Sequence, residues 1–201
     1  MRKIVVVEFL TLDGVMQAPG DPNEDRSGGF DNGGWQRDYF DDVIGATIMG
    51  DLGETGGFLL GRKTYEIFAA HWPKQPAEDP LAGTFNDLPK WVVSSTLSEP
   101  LGWKNSTLIQ GDVAAGIAAV RASDGKDIQV IGSGELVQTL IQNDLVDEYR
   151  LMFHPLVMGQ GKRLFRDAGA TAKLRLVDSK PTTTGVIIAR YEPTREAPKA
   201  G

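Results

Sequence analysis

The sequence has no cysteine and only two histidines, His71 and His154. Without thiols, disulfides and thiolate metal sites are excluded. Neither histidine stands in a metal-binding spacing such as H-E-x-x-H, so both are read as structural and no metal is expected. Basic runs are also missing: 21 Lys and Arg stand against 27 Asp and Glu, a net charge of −6. That balance argues against a nucleic-acid partner. Long apolar runs are missing too. The opening MRKIVVVEFL ceases to be apolar at Glu8 and no cleavage site follows. It reads as a first strand rather than a signal peptide or a membrane span, and a soluble, cytoplasmic protein is expected.

What is present is an α/β alternation over 201 residues, enough for one domain with a sizeable core. That domain is expected over 1–192, with 193–201 (PTREAPKAG) a flexible tail. Strands are predicted at KIVVVEFL (3–10), FLLG (58–61), WVVSS (91–95), TLIQG (107–111), IQVIG (128–132) and VDEYRLMFHPLV (146–157). An antiparallel hairpin is predicted over 173–192. Helices are predicted from Trp35 to about Met49, over 62–72 up to Pro73, over 112–122 behind an Asp112 cap, and over 135–143. Residues 17–34 form a long Gly-, Pro- and acid-rich loop, a length that is usually functional or mobile. The alternation implies a mixed, mostly parallel sheet with helices on both faces.

Three strand ends share a composition. FLLG leads into Arg62-Lys63-Thr64, WVV into Ser94-Ser95-Thr96, and IQVI into Gly132-Ser133-Gly134. Glycines there serve either a tight turn or a phosphate cradle at a helix N-terminus. Ligands of parallel α/β sheets bind outside the carboxyl ends of the strands. Two cations, several hydroxyls and glycines at three such ends favour a ligand with several phosphates. Arg62 supplies a planar fork and Lys63 a point charge. Cations at a helix start oppose the helix dipole, which an anion would offset. Neither standard phosphate motif fits. GGFLLGRKT puts Arg62 where a P-loop needs lysine, and GSGELV puts Val137 where a dinucleotide fingerprint needs its third glycine.

These segments resemble the dihydrofolate reductase-like fold, and within it the reductase domain of bacterial riboflavin biosynthesis, the RibD C-terminal domain family. The resemblance runs from about Lys3 to Glu192. It is carried by Leu12-Asp13-Gly14 after strand one, by LLGRKTYE, by VVSSTL, and by VIGSGELVQTLIQNDLVDEYRLMFHPLVMGQGKRLF. It implies an NADPH-dependent reductase of a small heterocycle. The activity implied is most like a 5-amino-6-(5-phosphoribosylamino)uracil reductase or a dihydrofolate reductase, in a homodimer. It also implies a cofactor site made by Gly61, Arg62, Lys63, Thr64, Ser94, Ser95, Thr96, Ile131, Gly132, Ser133, Gly134, Glu135 and Leu136. Asp79-Pro80-Leu81 departs from the family's riboflavin-pathway loop, because no arginine follows it. The zinc deaminase elements of bifunctional relatives are absent.

Dihydrofolate reductases place a carboxylate early in the helix after the long loop. Asp38 is the corresponding candidate here, with Asp42 four residues on and so on the same helix face. Asp13, Gly14, Trp35, Tyr39 and Asp42 are the candidate substrate residues. The alternative function is a non-catalytic NADPH-binding protein, used for sensing or assembly.

Overall fold

A computed structural model describes residues 1–76, 78–166 and 169–194. The first strand, β1 (Ile4–Thr11), is buried along almost its whole length, which places it centrally. On one face Ile4, Val6 and Leu10 pack in the cluster that holds Ile117, Leu136, Val137 and Leu140. Phe9 points to the other face and packs toward Ile44 and Met152. This two-sided burial is the mark of a strand covered by helices on both sides.

In chain order the other regular elements are α1 (Asp42–Gly53), β2 (Thr55–Gly61), α2 (Arg62–His71), α3 (Pro80–Asp87), β3 (Lys90–Val93), β4 (Ser106–Ile109), α4 (Val113–Ala122), β5 (Asp127–Ile131), α5 (Gly134–Gln142), β6 (Glu148–His154), β7 (Leu174–Pro181) and β8 (Ile187–Pro193). They build one eight-stranded sheet in the order β4-β3-β2-β5-β1-β6-β8-β7. Pairings from β4 across to β6 are parallel. The pairs β6–β8 and β8–β7 are antiparallel, so the expected terminal hairpin forms. Helices α4 and α5 cover one face, and α1, α2 and α3 the other. This is the dihydrofolate reductase-like arrangement. Its last strand, β7, is exposed for most of its length.

Three local expectations change. The helix expected from Trp35 begins only at Asp42, because the Asp41 carboxylate accepts from Ile44 N–H (2.9 Å) and caps it. The same carboxylate accepts from the Thr183 N–H and hydroxyl, tying the start of α1 to the β7–β8 turn. Residues Arg37–Tyr39 form only a 3₁₀ turn, and Trp35 folds back against Val15, Ala18 and Phe30. Helix α3 was not expected, although Asp79 as cap and Pro80 at the first helical position form a standard start. At the C-terminus Pro193 closes β8, and Thr194 N–H donates to the Lys173 carbonyl (2.7 Å). The remainder of the expected tail, 195–201, lies outside the described residues.

His154 ends β6 and is fully buried. Its Nδ1 lies 3.2 Å from the Leu10 carbonyl and 3.0 Å from that of Met152, so Nδ1 carries the proton. Nε2 has no partner among the described residues, and Trp35 and Tyr39 meet the ring edge-on at 5.0 and 5.7 Å. Burial lowers the imidazole pKa, against the two carbonyl bonds that raise it. The unfolded chain therefore takes up this proton first as pH falls. The stability contributed is full above the ordinary histidine pKa and drains away below it. Thermal melts between about pH 7 and 5 should show a steeper loss of Tm for the wild type than for His154→Gln. Glu8 and Asp51, both raised, act in the opposite sense in both proteins. Parallel slopes would show that the ring takes up its proton in the fold as readily as in the unfolded chain, and would overturn the lowered pKa.

Candidate functional site

Because β3, β2, β5 and β1 run parallel, their carboxyl ends lie along one edge of the sheet. A cleft of about 1390 Å³ opens there. Its lining includes Gly61 to Thr64, Ser94 to Thr96 and Ile131 to Leu136. All of the residues expected to form a cofactor site thus meet in one groove.

The turn Gly132-Ser133-Gly134 works by close approach. Gly132 and Ser133 both have left-handed backbones, with φ of 60° and 58°. A side chain on Gly132 would lie 2.9 Å from the Thr64 hydroxyl oxygen. With the backbone so placed, Ser133 N–H donates to Thr64 Oγ1 (2.9 Å) and Gly61 N–H donates to Ser133 Oγ (2.9 Å). Ser133 Oγ in turn donates to the Ile131 carbonyl (3.2 Å). Gly134 is already the first residue of α5, where an added side chain would meet the Met16 sulfur at 3.0 Å.

The helix starts that result are electropositive. α2 begins after Gly61 and α5 after Ser133, and neither has a side-chain cap. Their first N–H groups therefore lack internal partners, and both open onto the cleft. Arg62 is held by Glu66 in a half-exposed pair at 2.9 Å, the kind of contact that an incoming anion displaces at little cost. Lys63 is exposed. The hydroxyls divide by role. Ser94 Oγ accepts from the N–H groups of Thr96 and Leu97 and shapes the loop. Ser95 and Thr96 are exposed at its surface.

The expected substrate residues lie elsewhere. The Asp13 carboxylate accepts from Thr11 Oγ1 (2.6 Å), Met158 N–H (3.0 Å) and Gly159 N–H (2.8 Å). Burial pushes its pKa up, but these bonds prevail and hold it well below the ordinary value. With Gly14 in the turn (φ 79°) and Arg163 donating to its carbonyl, Asp13 clamps the end of β1 to the segment after β6. Asp13, Gly14, Trp35, Asp38, Tyr39 and Asp42 are all outside the cleft lining. Asp38 and Asp42 are exposed and share no helix face, since the helix starts between them. Trp35 is buried, with its indole N–H on the Gln17 carbonyl, and Tyr39 packs on His154. Among the described residues no group of three or more His, Asp or Glu could hold a metal ion.

The loop 17–34 walls one side of the groove. Buried Gln17 donates to the carbonyls of Asp25 and Ser27 and accepts from Lys162 N–H. Lys162 Nζ reaches Asp25 (2.6 Å) and Ser27 (2.7 Å). This latch presents Met16 to Asp21 and Asn23 to Asp25 to the cleft.

The sequence reading missed Glu8. It lines the cleft from β1, is 3% exposed, and its Oε1 has no hydrogen-bond partner among the described residues. Burial raises its pKa well above the ordinary value, the Gly132 N–H opposes the shift, and the Glu24 charge adds to it. An acid inside the apolar run IVVVEFLT was the available signal.

Residues 2–188, from β1 into the start of β8, match the family described as the RibD C-terminal domain. The chain belongs to that family. It is 30% identical over 195 residues to the uncharacterised protein YyaP of Bacillus subtilis (strain 168), covering 94% of each chain. Among solved structures, a candidate riboflavin biosynthesis protein from Shewanella sp. PV-4 aligns with TM-score 0.68 and 21% identity, covering 96% of this chain and 99% of that one. A pyrimidine reductase-like protein from Corynebacterium diphtheriae gives TM-score 0.68 at 12% identity, covering 97% and 93%. A dihydrofolate reductase from Enterococcus faecalis, complexed with NADP(H) and a further ligand, gives 0.59 at 13%, covering 96% and 97%. At such identities these structures establish the fold.

For this RibD C-terminal domain, the Ser133 bridge makes a direct prediction. Ser133→Ala leaves Gly61 N–H without its acceptor and should cost about 1–3 kcal/mol, several degrees of Tm. Ser133→Gly loses the same bond but relieves the left-handed strain, so it should be the milder change by roughly 1 kcal/mol. Calorimetric melts of both variants decide this, and an alanine variant as stable as the wild type refutes it.

Proposed function

We propose that this chain is an NADPH-dependent reductase of a small heterocyclic substrate. The activity is most like 5-amino-6-(5-phosphoribosylamino)uracil reduction or a dihydrofolate reductase-like reaction. One observation carries it: two uncapped helix starts, α2 and α5, open side by side onto a groove that also holds Arg62 and Lys63. Oriented N–H groups and adjacent cations are what a pyrophosphate requires. The complex of NADP(H) with the similarly folded Enterococcus enzyme supports the same assignment.

When bound, the reduced nicotinamide supplies the hydride. The chain's own part is positioning and exclusion of water. The starts of α2 and α5 hold the pyrophosphate, while Arg62, Lys63 and the exposed Ser95 and Thr96 take the additional phosphate. The 17–34 wall shields the ring end of the groove, a feature that favours turnover over the alternative of a non-catalytic NADPH-binding protein. We further propose a cytoplasmic homodimer. Leu176 and Val177 on β7 are exposed apolar residues that such an interface would cover. Among the described residues no helix is long and apolar enough to cross a membrane.

Titration calorimetry should give tighter binding of NADPH than of NADH. Arg62→Ala should weaken NADPH by about 1–3 kcal/mol, roughly five- to 150-fold. Equal affinities of the wild type for the two cofactors would overturn the assignment. NADPH oxidation over a panel of pyrimidine, pterin and quinone substrates separates the enzyme from the sensor.

A further inference from the structure

Two acids are almost completely buried in the sheet, and their surroundings are opposite. Glu148 on β6 is 2% exposed and meets three cations: Arg150 (2.7 Å), Arg190 (2.8 Å) and Lys3 (3.5 Å). Glu8 on β1 is equally buried, yet among the described residues no ion pair involves it. Among the described residues, five of the six Lys and Arg side chains that line its cleft are turned to other acids, Arg37 to Asp21 among them, and Lys63 is exposed. Arg62 pairs with Glu66, Lys162 with Asp25, Arg163 with Asp13 and Arg166 with Glu135. Among the described residues, the charged group that acts on Glu8 is Glu24 of the 17–34 loop, which repels its ionised form. A buried carboxylate without a counter-ion is costly, and the group stays neutral instead.

Its position then defines what it faces. Val7 pairs with Ile131 across β1 and β5, so Glu8 stands one step further, level with Gly132. Val6 and Leu10, on either side, pack against α5, and the alternation of a strand turns Glu8 to that same face. It therefore lies at the floor of the cleft beside the Gly132-Ser133-Gly134 turn. In sheet order the groove passes β3, β2, β5 and then β1. With the phosphates at the starts of α2 and α5, an extended dinucleotide brings its nicotinamide to the β1 end. The carboxamide there is the only C=O group of NADPH.

We propose that Glu8, as a neutral carboxylic acid, donates a hydrogen bond to the carboxamide oxygen of the nicotinamide. The assignment rests on NADPH binding as proposed above. It gives a role to an oxygen, Oε1, that is shielded from water and has no partner among the described residues. Unsatisfied buried polar atoms are rare in folded proteins and ask for a ligand or another physical reason.

The test pairs infrared difference spectra with calorimetry on the folded 201-residue chain. Wild type minus Glu8→Gln should show the C=O stretch of a protonated acid, above the carboxylate band, and saturation with NADPH should shift it. The probe 2′-phospho-ADP-ribose, which lacks nicotinamide, should leave it in place. Glu8→Leu should weaken NADPH by about tenfold or more while leaving 2′-phospho-ADP-ribose unchanged. Glu8→Gln, whose amide can still donate, should recover most of that loss. Three results would overturn the proposal: no protonated-acid band, a band indifferent to NADPH, or equal losses of both probes in Glu8→Leu. Should Glu8→Leu fail to fold, the spectra of wild type and Glu8→Gln decide alone. A wild type that binds 2′-phospho-ADP-ribose but gains nothing from the nicotinamide refutes the Glu8 role only. A wild type that binds neither probe removes the reductase assignment along with it.

Discussion

Two hydrogen bonds between the ends of neighbouring strands set the geometry on which the cleft depends. Ser133 N–H to Thr64 Oγ1 and Gly61 N–H to Ser133 Oγ join the exit of β2 to the exit of β5. They form only if residue 132 has no side chain, because the Thr64 hydroxyl occupies that space. Once made, they fix where α2 and α5 begin relative to each other. Two helix dipoles then point into one groove, and the local field favours anions before any side-chain charge is counted. The glycines are thus a turn that brings the two helix starts together, and under the proposed function those starts would hold the phosphates.

The opposite wall is held by polar contacts as well as by the small apolar cluster of Val15, Ala18, Phe30 and Trp35. Asp13 gathers the N–H groups of Met158 and Gly159, and Gln17 with Lys162 pins the 17–34 loop to the segment after β6. Long chain segments can be ordered this way when a few buried acceptors each collect several donors. The clamp explains why an Asp-Gly pair at the end of β1 matters without touching the cleft.

Much of this was legible in the sequence. Strand order aside, the β-rich runs, the terminal hairpin and the Asp112 cap followed from local chemistry, and the three strand-end segments converged as parallel topology requires. The errors cluster between Trp35 and Asp42. Apolar residues there have helical spacing, but Trp35 and Tyr39 are drawn to His154, 115 or more residues away in sequence, and Asp41 supplies a stronger helix start. Long-range packing of that kind leaves no periodic trace. Glu8 shows the converse. Its one-letter interruption of an apolar strand was visible, but its meaning depends on which strand lies next to it and on the absence of a nearby cation, both properties of the assembled sheet.

The exposed last strand has a consequence for how the molecule stays separate from its own copies. A free strand edge is a template for adding further strands. Here β7 carries Arg175, Asp178 and Lys180, with Arg175 bonded back to Glu192 of β8 (2.6 Å). Charges along such a rim make continuation of the sheet into a neighbouring molecule unfavourable, as natural sheets use lysine and inward or paired charges to blunt their margins. Leu176 and Val177 on the same strand are exposed as well. With the charges beside them, growth of the sheet into ribbons from this edge is disfavoured.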